Sequence, residues 1–173
     1  MIGSVQNMES INNNNTYDGA DYELMALQMK SLMEQDRNWL PVLSNASAVL
    51  MTSLEAVNWA GFYVLRGDRL VLGPFQGRPA CIHIDIGKGV CGTAVQRRQT
   101  LVVEDVHQFP GHIACDSASR SEIVVPIFDG DRVAGVLDID SPVKGRFSDT
   151  DREGLESFVK TLEEYLLWQD PER

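Results

Sequence analysis

Two periodicities divide this chain. From Asp21 onward, Leu24, Leu27 and Leu32 offer an uneven apolar stripe, and a helix is predicted there. A second helix begins near Asn38, where Val42, Leu43, Ala46, Val49 and Leu50 keep the spacing of an amphipathic helix. Pro41 falls in its first turn, where the missing N–H has no intrahelical partner to lose. That apolar face is expected to pack against a sheet.

A period of two then takes over. Trp59 to Leu65 and Leu70 to Leu72 flank Arg66-Gly67-Asp68-Arg69, a hairpin signal. Residues 81–86 alternate strictly, which puts Ile82, Ile84 and Ile86 on one side of a strand and Cys81, His83 and Asp85 on the other. Gly87 to Val95 reads as a glycine turn entering a short helix, with Cys91 in or near its first turn. Leu101-Val102-Val103 is a short strand, and Ile123 to Phe128 and Val133 to Ile139 form a second hairpin around Asp129-Gly130-Asp131. Ser148 begins a final helix with stripe residues Leu155, Phe158, Val159, Leu162 and Leu166, and Asp149 and Asp151 suit the positive end of its dipole. Helices, then antiparallel strands with a helix between them, then a helix make an α+β layered domain over residues 21–170. Residues 1–20, which include Asn12 to Asn15, read as a disordered polar extension.

Composition narrows the function. The chain has 173 residues with 43% hydrophobic and 23% charged, ordinary for a globular protein. Its 25 Asp+Glu against 15 Lys+Arg give a net charge of −10, which argues against nucleic acid or an anionic membrane as the main partner. No apolar run reaches transmembrane length, and residues 1–15 lack the apolar core of a signal peptide, so a cytoplasmic location is expected. Three cysteines, an odd number, do not suit a secreted disulfide framework. In a reducing compartment they are inert, metal-binding, or nucleophilic and redox-active.

The candidate chemistry centres on the polar segment Gly111 to Glu122, which carries Cys115 and runs into the apolar strand that follows. A thiolate is the nucleophile, and both a helix N-terminus and a neighbouring cation favour it. That argument admits Cys91, at a helix start, as well as Cys115, with His112 and Arg120 nearby. One thiol attacks and another resolves, because a sulfenic acid is readily captured by a neighbouring thiol. In Gly135-Val136-Leu137-Asp138-Ile139-Asp140 the two acids share one face of a strand and raise each other's pKa. Glu122, at the start of the preceding strand, can join them to grip an ammonium or to donate a proton to an oxygen. Trp59 and Tyr63 share a face and supply an apolar wall. Cys81-x-His83 with His112-x-x-Cys115 matches no standard zinc signature, so no metal is expected. Gly87 and Gly89 lack the Lys-Ser/Thr of a phosphate loop and instead suit a turn that offers amides to a ligand carboxylate.

The runs Asn58-Trp59-Ala60-Gly61-Phe62-Tyr63, Leu72-Gly73-Pro74-Phe75-Gln76-Gly77, Gly89-Val90-Cys91-Gly92-Thr93-Ala94, Gly111-His112-Ile113-Ala114-Cys115-Asp116, Ser121-Glu122-Ile123-Val124 and Gly135 to Ser141 together closely resemble the free methionine-(R)-sulfoxide reductases. These are small enzymes made of one GAF domain, and the likeness covers roughly Tyr22 to Leu167. The resemblance implies a central antiparallel sheet with helices packed on its faces, often in a homodimer. It implies reduction of free methionine (R)-sulfoxide to methionine through a cysteine sulfenic acid and an intramolecular disulfide. Thioredoxin is then the external reductant, and no cofactor is bound. Carried over by position, Cys115 resembles the catalytic thiol, and Cys81 or Cys91 the resolving one. Glu122, Asp138 and Asp140 match the carboxylates that hold the substrate and polarise its sulfoxide, and Trp59 and Tyr63 match the surround of its methyl end. Two other readings remain open: a GAF module that binds a small molecule such as a cyclic nucleotide, and a redox switch of Cys91 and Cys115.

Overall fold

The computed structural model describes residues 19–111 and 117–168. In chain order the described elements are α1 (Tyr22–Met33), α2 (Trp39–Ser53), β1 (Trp59–Arg66), β2 (Arg69–Gln76), β3 (His83–Asp85), α3 (Gly89–Arg97), β4 (Leu101–Val103), a 3-10 turn (Val106–Gln108), β5 (Ser121–Asp129), β6 (Arg132–Ser141) and α4 (Asp149–Tyr165). The strands form one six-stranded antiparallel sheet in the order β3-β2-β1-β6-β5-β4. Most of the expected polar extension, residues 1–18, lies outside the described residues. Among the described residues no helix is long and apolar enough to cross a membrane.

The alternation along the central strands sorts side chains onto two faces. Ala60, Phe62, Val64, Ile123, Val125, Ile127, Leu137 and Ile139 point into a core shared with α1, α2 and α4. Trp59, Tyr63, Val124 and Val136 point the other way, into a smaller core under α3. The expected stripes of α2 and α4 are the ones found, with Val49 only partly buried. Asn38 caps α2, its side chain accepting from Leu40 N at 2.9 Å, and Ser148 with Asp151 forms a capping box on α4.

Three expectations change. In α1 the buried stripe is Met25, Met29 and Met33, while Leu24 and Leu27 are half exposed and Leu32 is only partly covered. The reason is spacing: the methionines recur every fourth residue and stay on one face, whereas the leucines do not line up. The second strand runs on past Leu72 to Gln76 through an irregularity opposite Phe62, where the pairing steps from Gly61↔Phe75 to Tyr63↔Leu72. Ser47 of α2 donates to the Pro74 carbonyl there, at 3.1 Å. Residues 81–86 do not form a full strand. Only His83, Ile84 and Asp85 pair with β2, Ile84 alone of the isoleucines is buried, and Ile82 is 65% exposed. Among the described residues this strand is the sheet edge, with no further strand beside it.

α1 is tied to α4 by a buried polar cluster. Arg146 pairs with Asp151 at 3.1 Å, with both side chains nearly inaccessible, and the Tyr22 hydroxyl donates to Asp151 at 2.6 Å. Gly154 lies against the Tyr22 ring, and a methyl group there would overlap it.

If α1 docks through its methionines, Met29→Ala should lower unfolding stability by about 2–5 kcal/mol, and Leu27→Ala should change it by no more than about 0.5 kcal/mol. Denaturant midpoints at constant m-value measure both; the reverse order would contradict the packing.

Candidate active site

The sheet's inner face under α3 collects the predicted residues because of strand register. Trp59 lies opposite Asp140, and Asp140 lies opposite Glu122, so the three form one row across β1, β6 and β5. The next row is Gly61, Asp138 and Val124. Glu122 and Asp138 are 6% and 7% exposed, and Asp140 is half-buried.

α3 closes this face. Its glycines make the approach possible: Gly87 and Gly89 adopt φ of 81° and 59°, and a Cβ at Gly92 would collide with the Asp85 carbonyl. Cys91 thereby reaches the acids, its Sγ 4.0 Å from Glu122 Oε1. The turn's amides are largely spent on holding it shut. Gly87 N donates to Gly92 O at 2.8 Å and Lys88 N to Asp85 O at 3.0 Å, so these amides are not offered to a ligand carboxylate as the sequence suggested.

Burial governs the titration. It pushes the Glu122 carboxyl well above the ordinary range, helped by the charges of Asp138 and Asp140 and by a hydrogen bond with Asp138. Burial also raises Asp138, to about 7, against the lowering effect of hydrogen bonds from Cys91 and Glu122. The shared hydrogen bond thus raises Glu122 and lowers Asp138, which puts the common proton on Glu122. Asp138 Oδ1 is buried and meets no hydrogen-bond donor among the described residues.

Cys91 departs from expectation. Its place in the first turn of α3 was expected to favour thiolate, but burial first, then Asp138 and Glu122, push its pKa well up. The Cys91 thiol is protonated, and one partial charge at a helix start does not offset a dry site beside two acids. One atom each of Cys91, Glu122 and Asp138 lie within 4.8 Å of one another, a spacing suited to a small cation. The environment that keeps protons on these groups opposes that use.

The aromatic wall is larger than predicted. Trp59 stacks on Tyr63 at 6.0 Å on one side and on Phe75 at 5.2 Å on the other. Gly61 allows this, since a Cβ there would meet Phe75 and come within 2.8 Å of the indole. Phe75 was not singled out in the sequence because the irregularity in β2 hides its register with Gly61. Both polar tips are used: Tyr63 donates its hydroxyl to the Cys81 carbonyl at 3.0 Å, and Trp59 donates Nε1 to the Arg78 carbonyl at 3.1 Å. Cys81 is therefore held beside the wall by its main chain. Burial and the neighbouring Asp138 raise the Tyr63 hydroxyl further above neutrality, keeping it a donor.

Cys115 and His112 lie outside the described residues. The chain after them is anchored next to the acids: Ser119 is buried and accepts from Asn58 Nδ2 at 3.3 Å, and Arg120 N donates to Ser141 O at 2.7 Å. The site thus brings together Trp59, Tyr63, Cys91, Glu122, Asp138 and Asp140, with Cys81 at its margin.

An Asp138 pKa raised from 3.8 to about 7 has a definite stability signature. The folded state holds a proton that the unfolded chain releases, so this group's contribution is complete below the unfolded value and is lost as pH rises to the folded one. The melting temperature of Asp138→Asn minus that of the wild type should therefore climb between pH 4 and pH 7 and level off above it. A flat difference would show that Asp138 titrates normally.

The GAF domain family profile matches residues 31–166. The free methionine-R-sulfoxide reductase of Escherichia coli is 54% identical over 140 residues, covering 81% of this chain and 85% of that protein. The reduced form of the Staphylococcus aureus fRMsr superposes with a TM-score of 0.83 at 56% identity, covering 87% of this chain and 97% of the other. The free methionine-R-sulfoxide reductase from Neisseria meningitidis, solved with its substrate, superposes with a TM-score of 0.80 at 44% identity, over 83% and 87% of the two chains. With a match of this extent in sequence and in backbone, the chain belongs to the GAF-domain family of free methionine-R-sulfoxide reductases.

Proposed function

We propose that this protein reduces free methionine (R)-sulfoxide to methionine, using Cys115 as the attacking thiol. The observation that carries the reading is the proton-holding pair Glu122–Asp138, buried on the same sheet face as a stacked aromatic wall. The names of the relatives, and the solved neighbours bound to their substrate, support the substrate class.

A sulfoxide gives up its oxygen only if that oxygen is protonated as the sulfur is attacked. Burial holds the Glu122 carboxyl well above its ordinary range, and Glu122 is the acid assigned to this step. The Cys115 sulfur attacks the sulfoxide sulfur, oxygen passes to the cysteine, and the products are methionine and a cysteine sulfenic acid. The substrate sulfur gains two electrons and the cysteine sulfur loses two. Asp138, with its unmatched Oδ1, and Asp140 receive the substrate ammonium. Trp59 and Tyr63 enclose its methyl end.

Cys81 then attacks the sulfenic sulfur, a disulfide forms and water leaves. Cys91, kept protonated beside Glu122, donates within the carboxyl cluster and takes second place to Cys81 as the resolving thiol. Thioredoxin reduces the disulfide in a reducing cytoplasm, and no cofactor is bound. A lining of carboxyl groups also disfavours the phosphate of a cyclic nucleotide.

NADPH consumption through thioredoxin and its reductase, dependent on added free methionine sulfoxide, tests the proposal. Cys115→Ser should abolish it. Glu122→Gln should reduce kcat/KM by about 100-fold or more, the range of a lost general acid. Turnover that survives Cys115→Ser but disappears in Cys91→Ser would move the nucleophile to α3.

A further inference from the structure

The two rings that form the aromatic wall are also the anchors of the segment that carries Cys81. Residues 77–82 have no regular secondary structure; the backbone bond from Leu72 N to Ile82 O, at 2.9 Å, ties the end of the segment to β2, and Cys81, just before it, is disulfide-bonded. Tyr63 reaches the carbonyl of Cys81 itself, at 3.0 Å, and Trp59 reaches the carbonyl of Arg78, at 3.1 Å. Both donors are nearly inaccessible to water, at 2% exposure, where a hydrogen bond has little competition. The rings are stacked on each other and, through Trp59, on Phe75, so neither tip moves without disturbing its neighbour. The entry to the segment is fitted to the indole as well. Gly77 has φ of 134°, and a Cβ there would lie 2.6 Å from Trp59 Cδ1 and 2.8 Å from the Asn58 carbonyl.

From this geometry we infer that Tyr63, assisted by Trp59, is a positioning residue for the resolving step. It fixes the main chain of Cys81 so that its thiol meets the sulfenic acid made in the first step. The inference rests on the proposed reduction and concerns only the half-reaction after methionine has formed. In that step the Cys81 sulfur bonds to the oxidised cysteine sulfur, the S–O bond breaks, and the thiol proton leaves with the hydroxyl as water. No further reactant is consumed. A resolving thiol on an unanchored segment has a low effective concentration, and two buried hydrogen bonds to its backbone raise it. The wall therefore serves both half-reactions: its faces line the substrate site, and its polar tips hold the second thiol.

Tyr63→Phe keeps the ring and removes the hydroxyl. In a single turnover without reductant, methionine release and disulfide formation are measured separately, the sulfenic acid being trapped with a carbon-acid reagent. Disulfide closure should slow by about fivefold or more relative to methionine release, the scale of one buried hydrogen bond. Gly77→Ala, which leaves the hydroxyl in place but presses the segment off Trp59, should shift the same ratio. In a Cys81→Ser background the sulfenic acid should persist, and adding Tyr63→Phe should not prolong it further. The inference is overturned if Tyr63→Phe slows methionine release and disulfide closure to the same degree, since the residue then only shapes the substrate wall. It is also overturned if Cys81→Ser closes a disulfide as fast as the wild type. A wild-type protein that releases no methionine at all refutes the proposed reduction, and with it this step.

Discussion

Removing two carboxyl groups from water in the middle of a sheet is the constraint around which this molecule is arranged. Glu122 and Asp138 sit within a few ångströms of each other under α3. Two full charges at that spacing in a poorly polarisable interior would repel by several kcal/mol. Retaining a proton removes that cost, and the proton is the reagent a sulfoxide oxygen requires. In the proposed reduction, stability and chemistry thus ask for the same protonation state, so an acid available near neutrality needs no separate device to maintain it.

The sheet makes this possible by keeping its two faces distinct. On β6, Leu137 and Ile139 enter the main core while Asp138 and Asp140 turn toward α3, so one strand carries both the fold's apolar anchor and its acid pair. The main core holds α1, α2 and α4 against the opposite face, and α3 is left to act as a cover. That cover needs close backbone approach, and Gly92 supplies it where any side chain would strike the Asp85 carbonyl. Gly61 does the same for the indole of Trp59.

Much of this was legible in the sequence because period-two patterns carry face information directly. The shared face of Asp138 and Asp140, the alignment of Trp59 with Tyr63, both hairpins and the stripes of α2 and α4 come from spacing alone. Glu122 joins the acids by register, but not by the turn alone: counting from Asp129↔Arg132 would set it opposite Ile139, and the irregularity between Ile127 and Phe128 moves it opposite Asp140. The features that were not legible depend on tertiary context. The methionine stripe of α1 is chosen by fourfold spacing over a leucine set of similar hydrophobicity. Phe75 enters the wall only because β2 is irregular. The Cys91 thiol reads as activated from its helix position, and only its burial beside two acids reverses that.

The protein contains a second buried aspartate cluster, and comparing the two separates structural from chemical use of one residue type. Asp151 is also burdened by burial, yet its pKa falls below the ordinary range. The Ser148 amide and hydroxyl, the Tyr22 hydroxyl and the Arg146 guanidinium all donate to it or face it, and together they outweigh desolvation. Both oxygens there have donors, Oδ1 from Tyr22 and Oδ2 from Ser148 and Arg146, and the group holds α1 to α4. Asp138 has acids and a protonated thiol for neighbours, no matching cation in its hydrogen-bond set, and one oxygen unmatched. A fold selected only for stability would complete that set, as it did at Asp151. Under the proposed reduction, the incomplete one is the place where a substrate's ammonium would supply the missing donor, and binding there would gain in strength because the protein has left the acceptor unsatisfied.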